Sequence, residues 1–190
     1  WGGREFRQLI LPTMVSRSYD EGVTWDRTGK VKLPSGMPNL IPYGGIIGLG
    51  PDLLAAAFYD AYAGEGLNAA YLLVSMDDGF TWEQPIPIVV KDDAGAERLL
   101  NINETFLLSG GRNNIIAAAR VYSREARILI VHSDSRGRLW KVPERYTGSG
   151  VTGPSEHPGH LLRLKSGMVL ITYGIRHEDH GIGARVGFED

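Results

Sequence analysis

The sequence predicts an all-β protein made of repeated four-stranded sheets, and three observations lead to this fold class. First, the phrase SYDEGVTW at 18–25 returns as SMDDGFTW at 75–82 and as SDSRGRLW at 133–140. Second, the phrase closes a regular succession of tight turn, apolar run, polar loop and second apolar run. Third, no segment keeps the period of about 3.6 residues that marks an amphipathic helix. Units of this kind suit a β-propeller, whose sheets, called blades, pack radially around an axis.

The apolar runs of each unit predict its strands in order. In the second unit the turn at 50–52 is followed by apolar runs at 53–59 and 69–74. In the third unit the corresponding runs lie at 115–121 and 126–132. Runs of about four to eight apolar residues between clusters of Gly, Pro, Asn and Asp predict short strands.

A partial propeller of about three blades is therefore expected, from a whole protein with six blades. The chain begins inside one blade and stops where the repeat phrase of the last blade would begin. Such a fragment leaves two radial blade faces uncovered, which predicts either that copies of the chain pair through those faces or that the fragment is marginally soluble. The predicted blades are the end of a first (1–30), a second (40–90), a third (100–146) and the start of a fourth (155–190).

The repeat phrase predicts a structural turn between two strands. Its Asp can accept backbone N–H groups, its Gly can take a positive φ, and its Trp can cover the edge of the sheet. The alternative is that Asp77 and Asp78 bind Ca²⁺ or act as a catalytic pair. Copies that recur once per blade point in different directions and cannot meet on one ligand, so the phrase is assigned to the fold. The residues with this structural role are Ser18, Asp20, Gly22, Trp25, Ser75, Asp77, Gly79 and Trp82.

Composition argues against several classes of protein. The 190 residues are 43% hydrophobic and 22% charged, as in an ordinary globular domain, so disorder is not expected. A formal net charge of −2 with interspersed signs favours neither nucleic acid nor a membrane surface, and no apolar stretch approaches the roughly 20 residues of a membrane span. The chain has no cysteine, which excludes disulfides and thiolate metal sites, and no cofactor is expected.

Glu104 and Arg120 are the first candidates for chemistry. Side chains from several blades converge at the mouth of a propeller, so functional residues are expected at strand ends opposite the repeat turns. In the stretch 102–120, Glu104 opens one apolar run and Arg120 ends the next, and a hairpin turn at 110–114 brings both to one rim. Arg can hold a carboxylate through two hydrogen bonds, and Glu can activate a nucleophile. The alternative is an ion pair on the surface of a hairpin.

The fourth blade carries the densest polar cluster of the chain, in PSEHPGH at 154–160 and TYGIRHEDHG at 172–181. Its imidazoles can bind a metal, act as general acids or bases, or form hydrogen bonds in a wet loop. Their spacing matches no known metal site, so a metal is not predicted. The histidines with this open assignment are His157, His160, His177 and His180.

Alignment of the fourth blade with the third assigns further roles. His157 falls near the position of Glu104, and Tyr173 falls at that of Arg120, which predicts both side chains at the mouth. Glu104, His157 and Tyr173 are therefore the candidate catalytic residues. Asp60 ends a strand of the second blade, where it is either a carboxylate of the rim or the start of a turn. The candidate substrate-binding residues are Arg120, Arg176, His160, His177 and Asp60.

The repeat phrase, in register with the strands, resembles the Asp-box of sialidases and other propellers with bacterial-neuraminidase repeats. In that family the boxes lie on the face away from the active site. The stretch that begins at Asn103 is similar to a sialidase segment, and the resemblance implies that Glu104 assists a tyrosine nucleophile from a later blade. It also implies that Arg120 is one of three arginines that bind the substrate carboxylate, and Arg176, a little before the position of the third, is a candidate for a further one. The resemblance alone favours an extracellular or periplasmic location.

Three functions remain open at this point, and each has a carbohydrate as the partner. The first is a sialidase-like exo-glycosidase that hydrolyses a terminal acidic sugar from a glycan. The second is a polysaccharide lyase or glycosidase that depends on the histidines and Tyr173. The third is a carbohydrate-binding propeller without catalysis, because a fold alone does not determine an activity.

Overall fold

The computed structural model describes residues 12–37, 40–60, 68–91, 97–111, 114–123, 126–142, 151–177 and 180–188. Within these residues the regular structure consists of fourteen β-strands, and no helix there is long and apolar enough to cross a membrane. The strands are β1 (Met14–Arg17), β2 (Asp26–Lys30), β3 (Ile41–Gly50), β4 (Leu53–Asp60), β5 (Ala69–Ser75), β6 (Ile86–Pro87), β7 (Val89–Lys91), β8 (Glu97–Leu99), β9 (Ile102–Gly111), β10 (Asn114–Val121), β11 (Ile128–Ser133), β12 (Glu156–Arg163), β13 (Val169–Ile175) and β14 (Gly181–Gly187).

The strands form antiparallel sheets in chain order. One four-stranded sheet has the order β3-β4-β5-β6, and two three-stranded sheets have the orders β9-β10-β11 and β12-β13-β14. The two-stranded ladders β1-β2 and β7-β8 complete the described pairing. β4, β5 and β10 are buried along most of their length, because apolar side chains pack against both of their faces.

Apolar clusters fill the spaces between successive sheets. One lies between the β3–β6 and β9–β11 sheets, another between the β9–β11 and β12–β14 sheets, and a third between the β3–β6 sheet and the segment around β1. Ala57 and Ala117 line the first of these spaces, and small side chains let two sheets approach closely. The inner strand β9 lies beside both β3 and β12. This radial succession is the predicted propeller arrangement, and it forms part of a ring.

The second repeat turn (75–82) is closed by its own side chains. Ser75 Oγ accepts the N–H of Gly79 at 2.7 Å. The Asp77 carboxylate accepts the N–H of Thr81 at 2.8 Å and its hydroxyl at 2.6 Å. The bonds from Thr81 lower the pKa of Asp77, because they stabilise the charged carboxylate.

The other two repeat turns follow the same plan with one chemical difference. In the first turn the hydroxyl and N–H of Thr24 donate to Asp20 and are the main causes that lower its pKa to about 2. In the third turn Ser135 stands in the place of the Asp, and its Oγ accepts the N–H of Leu139 at 2.9 Å. A hydroxyl therefore replaces the carboxylate as the acceptor that closes the turn.

The tryptophans and glycines of the turns fix one sheet to the next. Trp140 is 1% exposed between the second and third sheets, and its Nε1 donates to Gly137 O at 2.9 Å. Trp82 packs against the cluster on the other side of the second sheet, whereas Trp25 is 63% exposed. Gly137 has a φ of +82° and lies against Leu72 of the preceding sheet. The second and third turns thus take the predicted structural role.

The two ends of each sheet carry different residues. In the third sheet, Ile115 near the start of β10 pairs with Ser133, which opens a repeat turn. Near the other end of β10, Arg120 pairs with Ile128. The repeat turn and Arg120 therefore lie at opposite ends of the sheet, as predicted. We call the end that carries Arg120, together with the corresponding ends of the neighbouring sheets, the mouth.

Candidate functional site

Glu104 and Arg120 form an ion pair at the mouth. Arg120 Nη1 donates to Glu104 Oε2 at 2.8 Å, and the two side chains are 21% and 23% exposed respectively. The pairing of β9 with β10 shifts register between Ala118 and Arg120, and Glu104 has a φ of +24°, which is rare outside glycine. Such a bulge re-aims a side chain. The bulge therefore lies at the point of the hairpin where the side chain of Glu104 turns to Arg120.

His157 on β12 lies close to this pair. The residue is 5% exposed, and its Nδ1 has no hydrogen-bond partner among the described residues. Burial is the main cause that lowers the pKa of His157 to about 4. The positive charges of Arg120 and Arg176 act in the same direction, and the charge of Glu104 opposes them. The imidazole is therefore uncharged at neutral pH, although a carboxylate is near it.

Tyr43 on β3 also belongs to this site, although the sequence patterns did not single it out. Burial, followed by the charge of Glu104, raises the pKa of Tyr43 to about 12, while Arg120 and Arg176 act in the opposite direction. The phenol is therefore protonated at neutral pH and can donate a hydrogen bond. We call the following five side chains the mouth group: Tyr43, Glu104, Arg120, His157 and Arg176.

The mouth group brings together residues from three successive sheets. At pH 7 its formal charge is +1, because two arginines outweigh one glutamate while the imidazole and the phenol are neutral. Guanidinium groups bind carboxylates and other oxyanions, and the remaining groups can donate or accept a proton. In the described part of the chain, no three His, Asp or Glu side chains are placed to hold a metal ion. The arrangement therefore suits an organic anion with hydroxyl groups around it.

The predicted alignment of Tyr173 with Arg120 of the preceding blade is wrong by one residue. When the residues that face the preceding sheet are matched, Tyr173 corresponds to Ala119, and Gly174 corresponds to Arg120. A one-residue offset along a strand moves a side chain to the opposite face of the sheet. Tyr173 is accordingly 8% exposed in the apolar cluster between the third and fourth sheets, and its hydroxyl accepts a bond from Arg185 Nε at 3.4 Å. The structure therefore places its ring in the core.

His157 lies in an irregular part of β12. The alignment makes it correspond to Asn103 and not to Glu104, and it falls where the pairing of β12 with β13 shifts register between Glu156 and Gly159, so strand alternation does not set the direction of its side chain. Its imidazole is near enough to Arg120 for the guanidinium charge to lower its pKa. The side chain of His157 extends to Arg120 from the fourth sheet, whereas that of Glu104 lies in the same sheet as Arg120.

Arg176 and His177, which follow β13, have different surroundings. The backbone N–H of Arg176 donates to Ser155 O at 3.0 Å, and its guanidinium is near enough to affect both His157 and Tyr43. His177 is 49% exposed, and its Nε2 lies 3.4 Å from Glu156 Oε1. Arg176 therefore joins the mouth group, and His177 pairs with a residue at its edge.

Asp60 and His160 are not part of the mouth group. Asp60 is 4% exposed on the face of β4 that also carries Phe58, and its charge helps to raise the pKa of Tyr71, after burial. This face packs towards the first blade, away from Arg120. His160 is exposed on β12, with its ring centroid 4.7 Å from that of Phe106.

Alignment of the inner strands would have found Tyr43. Its place on β3 is the same as that of Phe106 on β9 and His160 on β12, as the pairing of each inner hairpin shows. The sequence signal is a ring side chain a few residues into each inner strand. The sequence analysis singled out His160 from its polar surroundings and did not compare the inner strands position by position.

The pH response of His157 provides a direct check of this electrostatic environment. We expect its imidazole resonances in an NMR titration to move with a midpoint near pH 4. The variant Arg176→Gln should raise the midpoint, because it removes one of the positive charges that disfavour protonation.

The same pKa makes the stability of the protein depend on pH. An unfolded histidine titrates near pH 6.5, so the unfolded state binds more protons between about pH 6.5 and 4. Stability should therefore fall as the pH is lowered through this window, and His157→Gln should remove that part of the loss.

A midpoint near 6.5 in the wild-type protein would contradict the burial of His157 beside two arginines. An unchanged midpoint in Arg176→Gln would show instead that the charge of Arg176 does not act on the imidazole of His157. The variant Arg138→Gln is a matched control, because Arg138 is exposed in the third repeat turn at the opposite end of the sheet.

No protein-family model matches the chain, and no curated protein matches it. Among solved structures, a protein of unknown function from Dyadobacter fermentans is 24% identical, with 91% of this chain and 47% of that chain covered and a TM-score of 0.69. The α-L-arabinanase of Penicillium chrysogenum, solved with arabinobiose, is 17% identical, with coverages of 92% and 54% and a TM-score of 0.64. A Hadza microbial sialidase is 16% identical, with coverages of 94% and 38% and a TM-score of 0.58.

These similarities establish the fold as that of β-propellers, of which the chain forms a part. The chain spans about half the length of the first two of these proteins and less of the third. At identities below 25% the similarity concerns the arrangement of the sheets, and chemistry has to be argued from the site itself.

Proposed function

We propose that this chain is part of an exo-acting glycoside hydrolase whose substrate ends in a sugar that carries a carboxylate. The observation on which this depends is the mouth group, in which Arg120 and Arg176 lie close to one neutral histidine and leave a formal charge of +1. An anionic sugar would balance this charge. Arg176 is exposed, so water screens its charge, and what a carboxylate adds is a charge-assisted hydrogen bond to an anionic acceptor, which a neutral sugar lacks.

The roles follow from the chemistry of the groups. Arg120 and Arg176 bind the carboxylate of the terminal sugar, and Glu104, held by Arg120, polarises a nucleophile at the anomeric carbon. The transition state of glycoside hydrolysis resembles an oxocarbenium ion, so a nearby carboxylate stabilises the charge that develops. His157 is neutral and donates or accepts a hydrogen bond with the sugar hydroxyls. The similarity of the stretch from Asn103 to a sialidase segment supports this scheme.

The neighbours in fold support the coarser part of the proposal. One is described as an arabinanase in complex with arabinobiose and another as a sialidase, so both act on carbohydrates. The first handles a neutral sugar and the second an acidic one. The choice between these substrates therefore depends on the two arginines of the mouth group.

A second candidate function is a polysaccharide lyase, and the protonation states at the mouth favour it. A neutral His157 can remove the proton next to the carboxylate of a uronate, and the protonated phenol of Tyr43 can donate a proton to the leaving oxygen. The C–O bond breaks as the C–C double bond forms, so the products are an unsaturated uronate and a sugar with a free hydroxyl. Tyr43 would take the role that the sequence analysis gave to Tyr173.

A panel of substrates tests these proposals in the full-length protein that contains the chain. We expect release of the aglycone from aryl glycosides of N-acetylneuraminic or glucuronic acid, and none from an aryl arabinofuranoside. Ultraviolet absorbance of an unsaturated product from a polyuronate would favour the lyase. Turnover of the arabinofuranoside alone, or glycan binding without turnover, would contradict both.

A further inference from the structure

Three ring side chains occupy the same place on successive inner strands. They are Tyr43 on β3, Phe106 on β9 and His160 on β12. The ring centroid of His160 lies 4.7 Å from that of Phe106 and 6.2 Å from that of Tyr43, with tilted planes. Because inner strands line the axis of a propeller, the three rings meet beside that axis. We call these three side chains the aromatic wall.

The aromatic wall lies one step deeper than the mouth group. Phe106 follows Glu104 by two residues on β9, on the side away from the mouth. The phenol of Tyr43 is near Glu104, so Tyr43 belongs to both sets. The guanidinium groups and the rings are therefore neighbours along the inner strands.

The rings of the wall keep exposed surface, unlike aromatic residues of the core. His160 is exposed, and Tyr43 and Phe106 are partly exposed, whereas Trp140 between two sheets is 1% exposed. Gly44 has a φ of +75°, and a Cβ added to it would lie 3.1 Å from Phe106 Cδ2. The bare backbone of Gly44 thus supports one side of the Phe106 ring.

We propose that the aromatic wall is the subsite for the C–H face of the terminal sugar, while Arg120 and Arg176 hold its carboxylate. This inference rests on the proposed function and adds a second recognition element to it. A pyranose has an apolar C–H face and a polar edge, and aromatic rings bind apolar faces through dispersion and burial of area. The contribution of the rings to the binding free energy then does not depend on the charge of the sugar, whereas the contribution of the arginines requires its carboxylate.

Matched acidic and neutral ligands separate the two contributions. The probes are N-acetylneuraminic acid and its methyl ester, and dissociation constants are measured by NMR titration of the full-length protein. We expect Phe106→Leu and His160→Ala to weaken the binding of both probes by the same factor, about fivefold. Arg176→Gln should weaken only the binding of the acid. Phe106→Leu keeps an apolar side chain beside Gly44, so a loss of affinity does not depend on a failure to fold.

Each outcome bears on the inference in a distinct way. Tyr19→Ala is the control, because Tyr19 is 71% exposed in the first repeat turn, far from the mouth, and it should bind both probes normally. If the wild-type protein binds the probes and both wall variants bind them equally well, the aromatic wall is not a subsite and the proposed function stands. If the wild-type protein binds neither probe, the proposed function and this inference both fail.

Discussion

Replacing Gly137 by alanine is expected to lower the free energy of unfolding by about 2–4 kcal/mol. Gly137 has a φ of +82°, a conformation that costs an L-residue about 1–2 kcal/mol. A Cβ at this position would also overlap Leu72 Cδ2, and Leu72 is fully buried in the preceding sheet. The buried leucine cannot turn aside without displacing the cluster around it, so overpacking adds to the backbone strain.

The chain contains a matched control for this substitution. Gly167 has a φ of +87°, and no described atom lies within 4 Å of where its Cβ would be. Gly167→Ala should therefore show the backbone strain without the overlap, and the difference in urea midpoint between the two variants measures the contact of Gly137 with Leu72. An equal decrease in the free energy of unfolding of both variants would show that the packing of the third repeat turn on the preceding sheet does not stabilise the protein.

Replacing Arg120 by alanine is expected to lower kcat/KM for an acidic sugar substrate at least tenfold in the full-length protein. A tenfold change corresponds to about 1.4 kcal/mol of transition-state stabilisation. The guanidinium of Arg120 is 21% exposed beside Glu104, so its charge is poorly screened by solvent. Arg120→Lys should retain part of the activity, because lysine keeps the charge but loses the planar pair of donors.

Two controls separate this effect from damage to the fold. Arg138→Ala removes an exposed arginine from the third repeat turn, and its kinetics should match those of the wild type. Arg120→Ala also leaves the Glu104 carboxylate without its ion-pair partner, so its stability is compared with that of Arg120→Ala/Glu104→Gln. A normal kcat/KM in Arg120→Ala, or an equal loss in Arg138→Ala, would contradict the role of Arg120 in binding the substrate.

The repeat turns and the Glu104–Arg120 contact were predictable because both depend on short stretches of chain. In an antiparallel hairpin the pairing of the strands determines which residues meet, and β9 and β10 pair from Gly111 and Asn114 onwards, which brings Glu104 and Arg120 to the same end. The Asp and Thr of a repeat turn are four residues apart, and their hydrogen bonds form within the turn itself. Local spacing therefore carries this information without knowledge of the rest of the fold.

The misplacement of Tyr173 is a slip of one position between two regular strands. β10 pairs with β11 and β13 pairs with β14 without a register shift, so Ala119 and Arg120 correspond to Tyr173 and Gly174. Successive side chains of a strand point to opposite faces, so an error of one position moves a side chain from the core to the other face of the sheet.

By itself the sequence determined the fold class, the structural role of the repeat turns and the meeting of one glutamate with one arginine. Only the tertiary structure decided that Tyr43, His157 and Arg176 approach this pair and that Tyr173 does not. The physical reason is that contacts within a hairpin are set by spacing along the chain. Contacts between blades depend instead on how each sheet is rotated about the axis and on where a bulge turns a strand, and neither quantity is written in the local pattern.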